Sequence, residues 1–106
     1  MQDELEFRRV AEAALDSLMQ HLIKREEDAG GFEVDEQNSV LKVAFEEPEG
    51  TFVITPNAPV RQIWISALST SFKLDWDEAA MAFILPRTGE LLTVLVDRLI
   101  DQHLAR

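Results

Sequence analysis

Five carboxylates are concentrated where a predicted first helix ends and a predicted first strand begins. We call them the acidic ridge: Glu26, Glu27, Asp28, Glu33 and Asp35. Alternation along a strand places Glu33 and Asp35 on the same face. The chain has no Cys and only two His, so a cation bound here would have oxygen ligands, which hard metal ions favour. The alternative is a charge run at a helix end that is simply solvated.

A second candidate site surrounds Trp64, in the predicted strand Arg61–Ser66. Ile63 and Ile65 share one face of this strand, and Trp64 lies on the other. The helices should cover the isoleucines, which leaves Trp64 on the open side of the sheet. An aromatic side chain there is a candidate partner contact, because such residues dominate interface energetics. The alternative is that Trp64 packs flat against neighbouring strand residues.

Other kinds of active site find little support. The lack of Cys excludes thiol nucleophiles and cysteine-ligated metals. His21 and His103 fall in different predicted helices, and we interpret both as surface or rim residues. Neither a G-x-S-x-G nucleophile elbow nor a glycine-rich phosphate loop occurs in the sequence. Asp35 and Glu46 have the spacing of an EF-hand loop, but Val40 stands where that loop requires Gly.

The charge of the chain limits its partners. Its 106 residues include 20 acids and 10 bases, for a net charge of −10, and nearly all of the excess precedes Thr51. Such a protein should repel phosphate backbones, so we expect no binding to nucleic acid. It should attract cations or a basic partner surface. The alternative is that the acids only keep a small protein soluble.

The length predicts one domain, residues 1–106. No apolar run approaches the ~18 residues that a membrane span requires. The first ten residues contain no apolar segment typical of a secretory signal. We therefore expect a soluble cytoplasmic protein, acting as a monomer away from membranes.

Hydrophobic periodicity predicts a helix, about six short strands and a second helix. The first helix spans residues 3–28, with Asp3 as its cap, Glu6 completing a capping box, and Gly30 ending it. Its predicted core stripe is Phe7, Ala11, Ala14, Leu18 and Leu22. The predicted strands are Phe32–Asp35, Val40–Phe45, Thr51–Thr55, Arg61–Ser66, Phe72–Trp76 and Met81–Leu85, with turns at Glu36–Asn38, Glu46–Gly50 and Pro56–Pro59.

The final helix follows Thr88, its predicted cap, and buries Leu92, Leu95 and Leu99. Hairpin-length connections make the sheet mostly antiparallel. Two terminal helices should pack side by side on one sheet face and leave the other exposed. The predicted fold class is therefore α+β, a two-layer sandwich.

The run Gly50–Ser66 resembles the signature of the frataxin family. In that family a strand of the pattern G-x-(aromatic/aliphatic)-I-N is followed by a strand of the pattern P-x-x-Q-(I/V)-W. This chain has GTFVIT followed by PVRQIW. Further matches extend in order over nearly the whole chain: Phe7–Glu12, Leu15–Leu18, Val40–Val43, Asp75–Trp76 and Thr88–Gly89.

The resemblance implies an iron-binding accessory protein of iron–sulfur cluster assembly. Such proteins bind the complex of cysteine desulfurase and scaffold protein and modulate its rate. By position, Glu26, Glu27, Glu33 and Asp35 of the acidic ridge match the carboxylates that would bind Fe²⁺ or Fe³⁺ weakly at the surface and would also attract basic partner surfaces. Partner contacts on the open sheet face would come from four residues that we call the open-face patch: Asn57, Gln62, Trp64 and Lys73.

The sequence also departs from the family pattern. Thr55 stands where the signature usually has Asn, and Phe83 where many members have a second Trp. Several first-helix positions that are often acidic are not acidic here: Met19, Gln20, Ile23 and Lys24. Lys24 and Arg25 should also offset part of the charge of their acidic neighbours. An alternative function is therefore a protein-interaction module with little or no iron affinity.

A third alternative is an enzyme that oxidises iron. A di-iron oxidation site needs Glu and His side chains converging from helices. In this sequence carboxylates predominate and the two histidines stand apart. We therefore expect no enzyme activity of this kind beyond a weak ferroxidase reaction.

Overall fold

The first helix, α1 (Glu4–Ala29), begins and ends at the predicted signals. In the computed structural model, which describes residues 3–106, the Asp3 side chain accepts the backbone N–H of Glu6 at 2.7 Å. Gly30 ends the helix with a φ of 70°, a left-handed conformation that glycine adopts without steric strain. The backbone N–H of Gly30 donates to the Glu26 carbonyl and closes the last turn.

One stripe of α1 is buried against the sheet. Its members recur at intervals of three or four residues, as helical periodicity requires. They are Phe7, Ala11, Leu15, Leu18 and Leu22. Leu15 occupies the position predicted for Ala14, which is only half-buried, because an interval of four from Ala11 leads to Leu15.

Six strands form one antiparallel sheet whose order in space follows the order in the chain. The strands are β1 (Glu33–Gln37), β2 (Val40–Glu46), β3 (Glu49–Asn57), β4 (Gln62–Ala67), β5 (Thr70–Asp77) and β6 (Ala82–Ile84). A 3₁₀ turn, Ala58–Val60, separates β3 from β4, and α2 (Leu92–Leu104) follows β6. The predicted two-layer α+β sandwich is confirmed.

The two faces of the sheet differ in composition and cover. In β2, buried Leu41, Val43 and Phe45 alternate with exposed residues. The same alternation in β4 buries Ile63 and Ile65. Both helices pack on this apolar face, and the buried apolar residues of residues 3–106 form one core cluster. The opposite face stays open, as the periodicity predicts.

All three predicted turns have different bounds in the structure. The turn predicted at Glu46–Gly50 contains only Glu47 and Pro48, because β2 extends to Glu46 and β3 begins at Glu49. Strand β1 continues through Gln37, because the turn to β2 needs only Asn38 and Ser39, both with positive φ. Strand β3 continues through Pro56, where a break was predicted. Pro56 lies beyond the last β3 residue that pairs with β2, where a proline is tolerated because one side of the strand is free.

The predicted cap of α2 is wrong. The helix begins at Leu92 and its N-cap, Leu91, has no side-chain hydrogen bond. Thr88 instead belongs to the preceding turn, where its Oγ1 accepts the N–H of Glu90 at 3.1 Å. The predicted inner stripe of this helix is confirmed, since Leu92, Leu95 and Leu99 are buried.

The interpretation of His103 as a surface or rim residue is wrong. Its side chain is only 2% exposed and packs against Phe45, with ring centroids 4.1 Å apart. Its Nε2 donates to the Pro48 carbonyl at 2.7 Å, so this nitrogen carries the proton. His21 is exposed, as predicted.

The predicted domain of residues 1–106 includes Met1 and Gln2, which lie outside the described residues, and this boundary stays a prediction. Among the helices of residues 3–106, none is both long enough and apolar enough to cross a membrane.

Candidate functional site

Three carboxylates of the acidic ridge lie in the last turn of α1. Glu27 and Asp28 are exposed and Glu26 is half-buried. This last turn contains no basic residue, although the C-terminal end of a helix carries partial negative charge. Three negatively charged side chains therefore lie at the negative end of the helix dipole, where a cation or a basic partner surface would be attracted.

Glu26 has a structural contact of its own. Its Oε1 accepts the backbone N–H of Val34 in β1 at 3.2 Å. Strand β1 is an edge strand of the sheet, so this carboxylate satisfies an otherwise open donor. Glu26 thus links the end of α1 to β1. Only the oxygen lone pairs that this hydrogen bond does not use are available to a cation.

The other two ridge residues lie on the open face of the sheet. Glu33 pairs with Ala44 and Asp35 with Lys42, and both acids are exposed. Directly opposed residues of antiparallel strands project from the same face, so Lys42 is the cationic neighbour of Asp35. The ridge therefore runs around the edge of the sandwich from the end of α1 to the open face.

The ridge does not close into a metal-binding cage. Within residues 3–106 there is no group of three or more His, Asp or Glu side chains placed to hold a metal ion. The oxygen donor chemistry suits a hard cation, but the described residues do not form a multidentate site. The sequence predicted that these residues lie near one another, but it could not establish whether their side chains converge on one point.

The four residues of the open-face patch come together on neighbouring strands. Trp64 lies between Thr55 of β3 and Lys73 of β5. In the adjacent row, Gln62 lies between Asn57 of β3 and Asp75 of β5. The sheet register therefore places the predicted partner-binding side chains in two adjacent rows.

The indole of Trp64 is half-buried and is held by its neighbours. The Lys73 Nζ atom lies 4.8 Å from the indole centroid, within the range of a cation–π interaction. The indole Nε1 donates to Gln62 Oε1 at 2.8 Å. Trp64 thus faces away from the helices, as predicted, and also packs against strand neighbours, as the alternative proposed.

Asp75 belongs to the same arrangement, although the sequence analysis named it only as part of a family match and not as a site residue. Its Oδ1 accepts a hydrogen bond from Gln62 Nε2 at 2.9 Å. Asp75 is two residues from Lys73 on β5, so alternation places both on one face. That spacing was readable from the sequence, but the pairing with Gln62 depends on the strand register.

An ion-pair network joins the two helices beside the ridge. Arg25 bonds Asp97 at 2.9 Å and Asp101 at 2.5 Å, and His21 bonds Asp97 at 2.7 Å. Burial opposes the charged form of Arg25, but the hydrogen bonds to Asp101 and Asp97 raise the pKa of Arg25 above its ordinary value. Arg25 therefore neutralises acids of α2, and it does not offset the ridge in the way expected from the sequence.

Comparisons with known proteins point to one family. The family model described as "Frataxin-like domain" matches residues 1–106. A protein of Arabidopsis thaliana named "Frataxin, mitochondrial" is 35% identical over 101 residues, which cover 89% of this chain and 51% of that protein. The chain thus spans about half the length of this plant relative.

Bacterial relatives are matched over more of their length. A protein of Pseudomonas fluorescens SBW25 named "Iron-sulfur cluster assembly protein CyaY" is 32% identical over 78 residues, covering 72% of this chain and 70% of that protein. A protein of the same name from Azotobacter vinelandii is 35% identical over 86 residues, with 79% and 76% covered. The solved structure of frataxin from Psychromonas ingrahamii superposes with a TM-score of 0.70 at 25% identity, covering 95% of this chain and 91% of that one.

Proposed function

Since the chain belongs to the frataxin family, we propose that it is an accessory protein of iron–sulfur cluster assembly. The two bacterial relatives described above are named for that process, and the match covers more than two thirds of the length of each. The proposed partners are a cysteine desulfurase and the scaffold protein on which clusters are built.

The observation that carries this proposal is the open-face patch. It presents a half-buried indole, Trp64, with polar neighbours on the sheet face that the helices leave uncovered. Aromatic side chains fixed in this way are typical anchors of protein interfaces. We propose that Asn57, Gln62, Trp64 and Lys73 contact the desulfurase–scaffold complex.

The acidic ridge is proposed to have two roles. Its carboxylates attract the basic surface of a partner, with a strength that salt reduces. They also bind iron, the cargo of the assembly process, weakly and at the surface. The available oxygen donors are the exposed carboxylates of Glu27, Asp28, Glu33 and Asp35. Glu26 can contribute only the oxygen lone pairs that its hydrogen bond with the Val34 N–H does not use.

The proposed role is regulatory binding rather than catalysis. The two histidines already have other partners: His21 bonds Asp97 and His103 bonds the Pro48 carbonyl. Their engagement supports the view that carboxylates act here without the Glu and His combination of a di-iron oxidation site. The net charge of −10 also supports our expectation that nucleic acid is not a partner. The cytoplasmic location and monomeric state expected from the sequence stay predictions.

A second candidate function is a protein-interaction module with little or no iron affinity. It is favoured by the lack of any convergent metal-binding group among residues 3–106. Under this reading the ridge acts only through long-range attraction of a basic partner. The open-face patch keeps the same role in both candidates.

An NMR titration separates the two candidates. Fe²⁺ is added anaerobically to ¹⁵N-labelled protein, and the desulfurase is added afterwards. If the ridge binds iron, Fe²⁺ broadens or shifts amide signals near Glu27 and Glu33, and the variant Glu27→Gln/Glu33→Gln loses these changes. The variant Glu12→Gln/Asp16→Asn removes two exposed carboxylates elsewhere on α1 and should keep them.

The later steps of the titration test partner binding. The desulfurase should perturb signals around Trp64 in the wild-type protein. Partner binding without any change upon addition of Fe²⁺ would favour the interaction module. The scaffold protein is added last. If neither the desulfurase nor the scaffold protein perturbs any signal, the proposed function itself is overturned.

A further inference from the structure

A chain of two hydrogen bonds links β5 to the half-buried indole on β4. Trp64 Nε1 donates to Gln62 Oε1 at 2.8 Å, and Gln62 Nε2 donates to Asp75 Oδ1 at 2.9 Å. Gln62 and Asp75 are directly opposed in the ladder between β4 and β5. The three side chains therefore form a relay along the open face of the sheet.

The chemistry of the relay fixes its direction. An indole N–H can only donate, and an ionised carboxylate can only accept. The amide of Gln62 can do both, and a half-turn about its last bond exchanges its oxygen for its nitrogen. With Asp75 accepting from the nitrogen, the oxygen must face Trp64. We infer that Asp75 is a positioning residue that sets the Gln62 amide and thereby fixes the orientation of the Trp64 indole.

The surroundings of Asp75 favour this role over that of a general surface charge. Asp75 is exposed and forms no ion pair within residues 3–106. Its contact is instead the amide that bonds the indole. Two residues away on the same strand, Lys73 lies over the indole ring. Strand β5 thus contacts the indole face directly through Lys73, and Asp75 acts on the indole nitrogen through Gln62 of β4.

A fixed indole matters for docking, and this step rests on the proposed function. A side chain that is already held in its bound orientation loses less conformational entropy when a partner covers it. Without Asp75 the Gln62 amide is free to turn its nitrogen toward the indole, which places two donors against each other. The indole would then sample other rotamers, and partner affinity would fall although Asp75 itself need not touch the partner.

The first arm of the test uses the free protein. The indole ¹⁵N–¹H signal of Trp64 is assigned by its loss in Trp64→Phe, which separates it from that of Trp76. In Asp75→Ala we expect the Trp64 indole proton to exchange with water about fivefold faster, in line with the loss of one hydrogen bond. Asp75→Asn, whose amide oxygen still accepts from Gln62, should keep the wild-type rate. Glu12→Ala, a matched loss of one exposed acid on α1, should keep it too.

The second arm measures affinity for the desulfurase–scaffold complex. We expect Asp75→Ala to weaken binding about fivefold, in parallel with the loss of the relay, and Asp75→Asn to restore it. Free energies of unfolding from urea titration should stay close to the wild-type value for all three variants, since the substituted residues are exposed.

The outcomes distinguish the two proposals. Unchanged indole exchange in Asp75→Ala overturns the positioning role. Faster exchange with unchanged affinity overturns its importance for docking. A third outcome is faster exchange in Asp75→Ala and a return to the wild-type rate in Asp75→Asn, while the wild-type protein binds no partner. That result supports the positioning role and overturns the proposed function. Equal losses of affinity in Asp75→Asn and Asp75→Ala would overturn the role of the hydrogen bond in docking and would assign the effect to the charge of Asp75.

Discussion

At the scale of single residues, His103 joins three parts of the fold. The imidazole is on α2, its Nε2 donates to the carbonyl of Pro48 in the turn between β2 and β3, and its ring stacks on Phe45 of β2. Its Nδ1 is buried without a hydrogen-bond partner in the described part of the chain. The ring also lies so close to Gly50 that a Cβ there would be 2.7 Å from His103 Cε1. A glycine is therefore needed at position 50 for the His103 imidazole to approach the strand backbone this closely.

We predict that Gly50→Ala destabilises the protein by about 2 kcal/mol, because the added methyl overpacks the site against the imidazole. His103→Ala alone should cost about 3 kcal/mol through lost packing of a buried ring. In the His103→Ala background, the further change Gly50→Ala should cost less than about 0.5 kcal/mol, because alanine is the better strand residue once the space is free. Urea titrations of the four proteins give the free energies of unfolding.

The test of this contact is the coupling between the two substitutions. Strong non-additivity is expected for residues that touch. Equal costs of Gly50→Ala with and without the imidazole would contradict the steric explanation and would assign the cost to the strand backbone.

The sequence predicted some of these residues and not others. Alternation in β4 was enough to place Trp64 on the open face, since each strand residue projects opposite to its neighbours. The helical stripe of Leu92, Leu95 and Leu99 also reaches His103 four residues later, but the residue type suggested a surface position. Asp75 was missed because its bond to Gln62 follows from strand register, which short hairpin patterns do not fix.

At the scale of elements, α2 lacks a side-chain cap and is supported by an ion pair. Glu90, just before the helix, is bonded to Arg98 within it, with an N–O distance of 2.7 Å, and to the Thr88 hydroxyl at 2.8 Å. The hydrogen bond with Arg98 contributes most, and together these contacts lower the pKa of Glu90 to about 2, against an ordinary value of 4.5. The pair holds the start of α2 against the turn that follows β6.

We predict a pH-dependent loss of stability from this pair. Because the folded-state pKa of Glu90 is depressed, its contribution is complete above pH 4.5 and is lost as pH falls towards 2. Glu90→Gln should lower the free energy of unfolding by about 1 kcal/mol at pH 7, a value that allows for the partial exposure of Arg98. The difference between variant and wild type should shrink between pH 4.5 and 2. Urea titrations across this range measure it.

Arg98→Gln provides the matched variant. It removes the main cause of the pKa shift, so it should reduce the same part of the pH dependence. The double variant Glu90→Gln/Arg98→Gln should lose little more than either single variant. Two independent, additive losses would mean that the pair does not act as a unit.

The order and type of the helices and strands were predicted well, because a repeating pattern defines them. The residues at which they begin and end were predicted less well. The order of helices and strands follows from helical and strand periodicity, which many residues report together. The start of α2 was wrong because Thr88 has the chemistry of a cap but uses it in a turn. The sequence could not establish whether the acidic ridge converges, because Glu33 and Glu27 belong to different layers and the distance between their side chains depends on how those layers pack.

At the scale of the whole molecule, part of the acidic ridge and the open-face patch occupy one surface. Glu33 and Asp35 on β1 project from the same sheet face as Trp64 on β4. Three strand spacings separate β1 from β4, a distance of about 14 Å. A partner interface of ordinary size, about 800 Å² per side, would be wide enough to cover both regions at once. Glu27, on the last turn of α1, lies outside this face.

Charge reversal and loss of the indole should therefore weaken partner binding in different ways. Glu33→Lys should slow association with the desulfurase–scaffold complex about fivefold at about 50 mM salt and much less at about 300 mM, because salt screens exposed charges. Trp64→Ala should raise the dissociation rate about tenfold at both salt concentrations, because a buried contact is lost, and should leave the fold intact. Stopped-flow fluorescence measures both rates.

Charge reversals at different positions test whether the partner covers the open face. Glu27→Lys makes the same change in net charge as Glu33→Lys but lies around the edge, so we expect it to slow association by a smaller factor. Glu12→Lys, on the exposed side of α1 far along the helix from the ridge, should have the smallest effect. If all three reversals slow association equally, the partner responds to the net charge of the molecule, and the sheet face has no special part in steering it. If Glu27→Lys has the largest effect, the partner approaches from the end of α1, and the indole contact must then form after a rotation of the encounter complex.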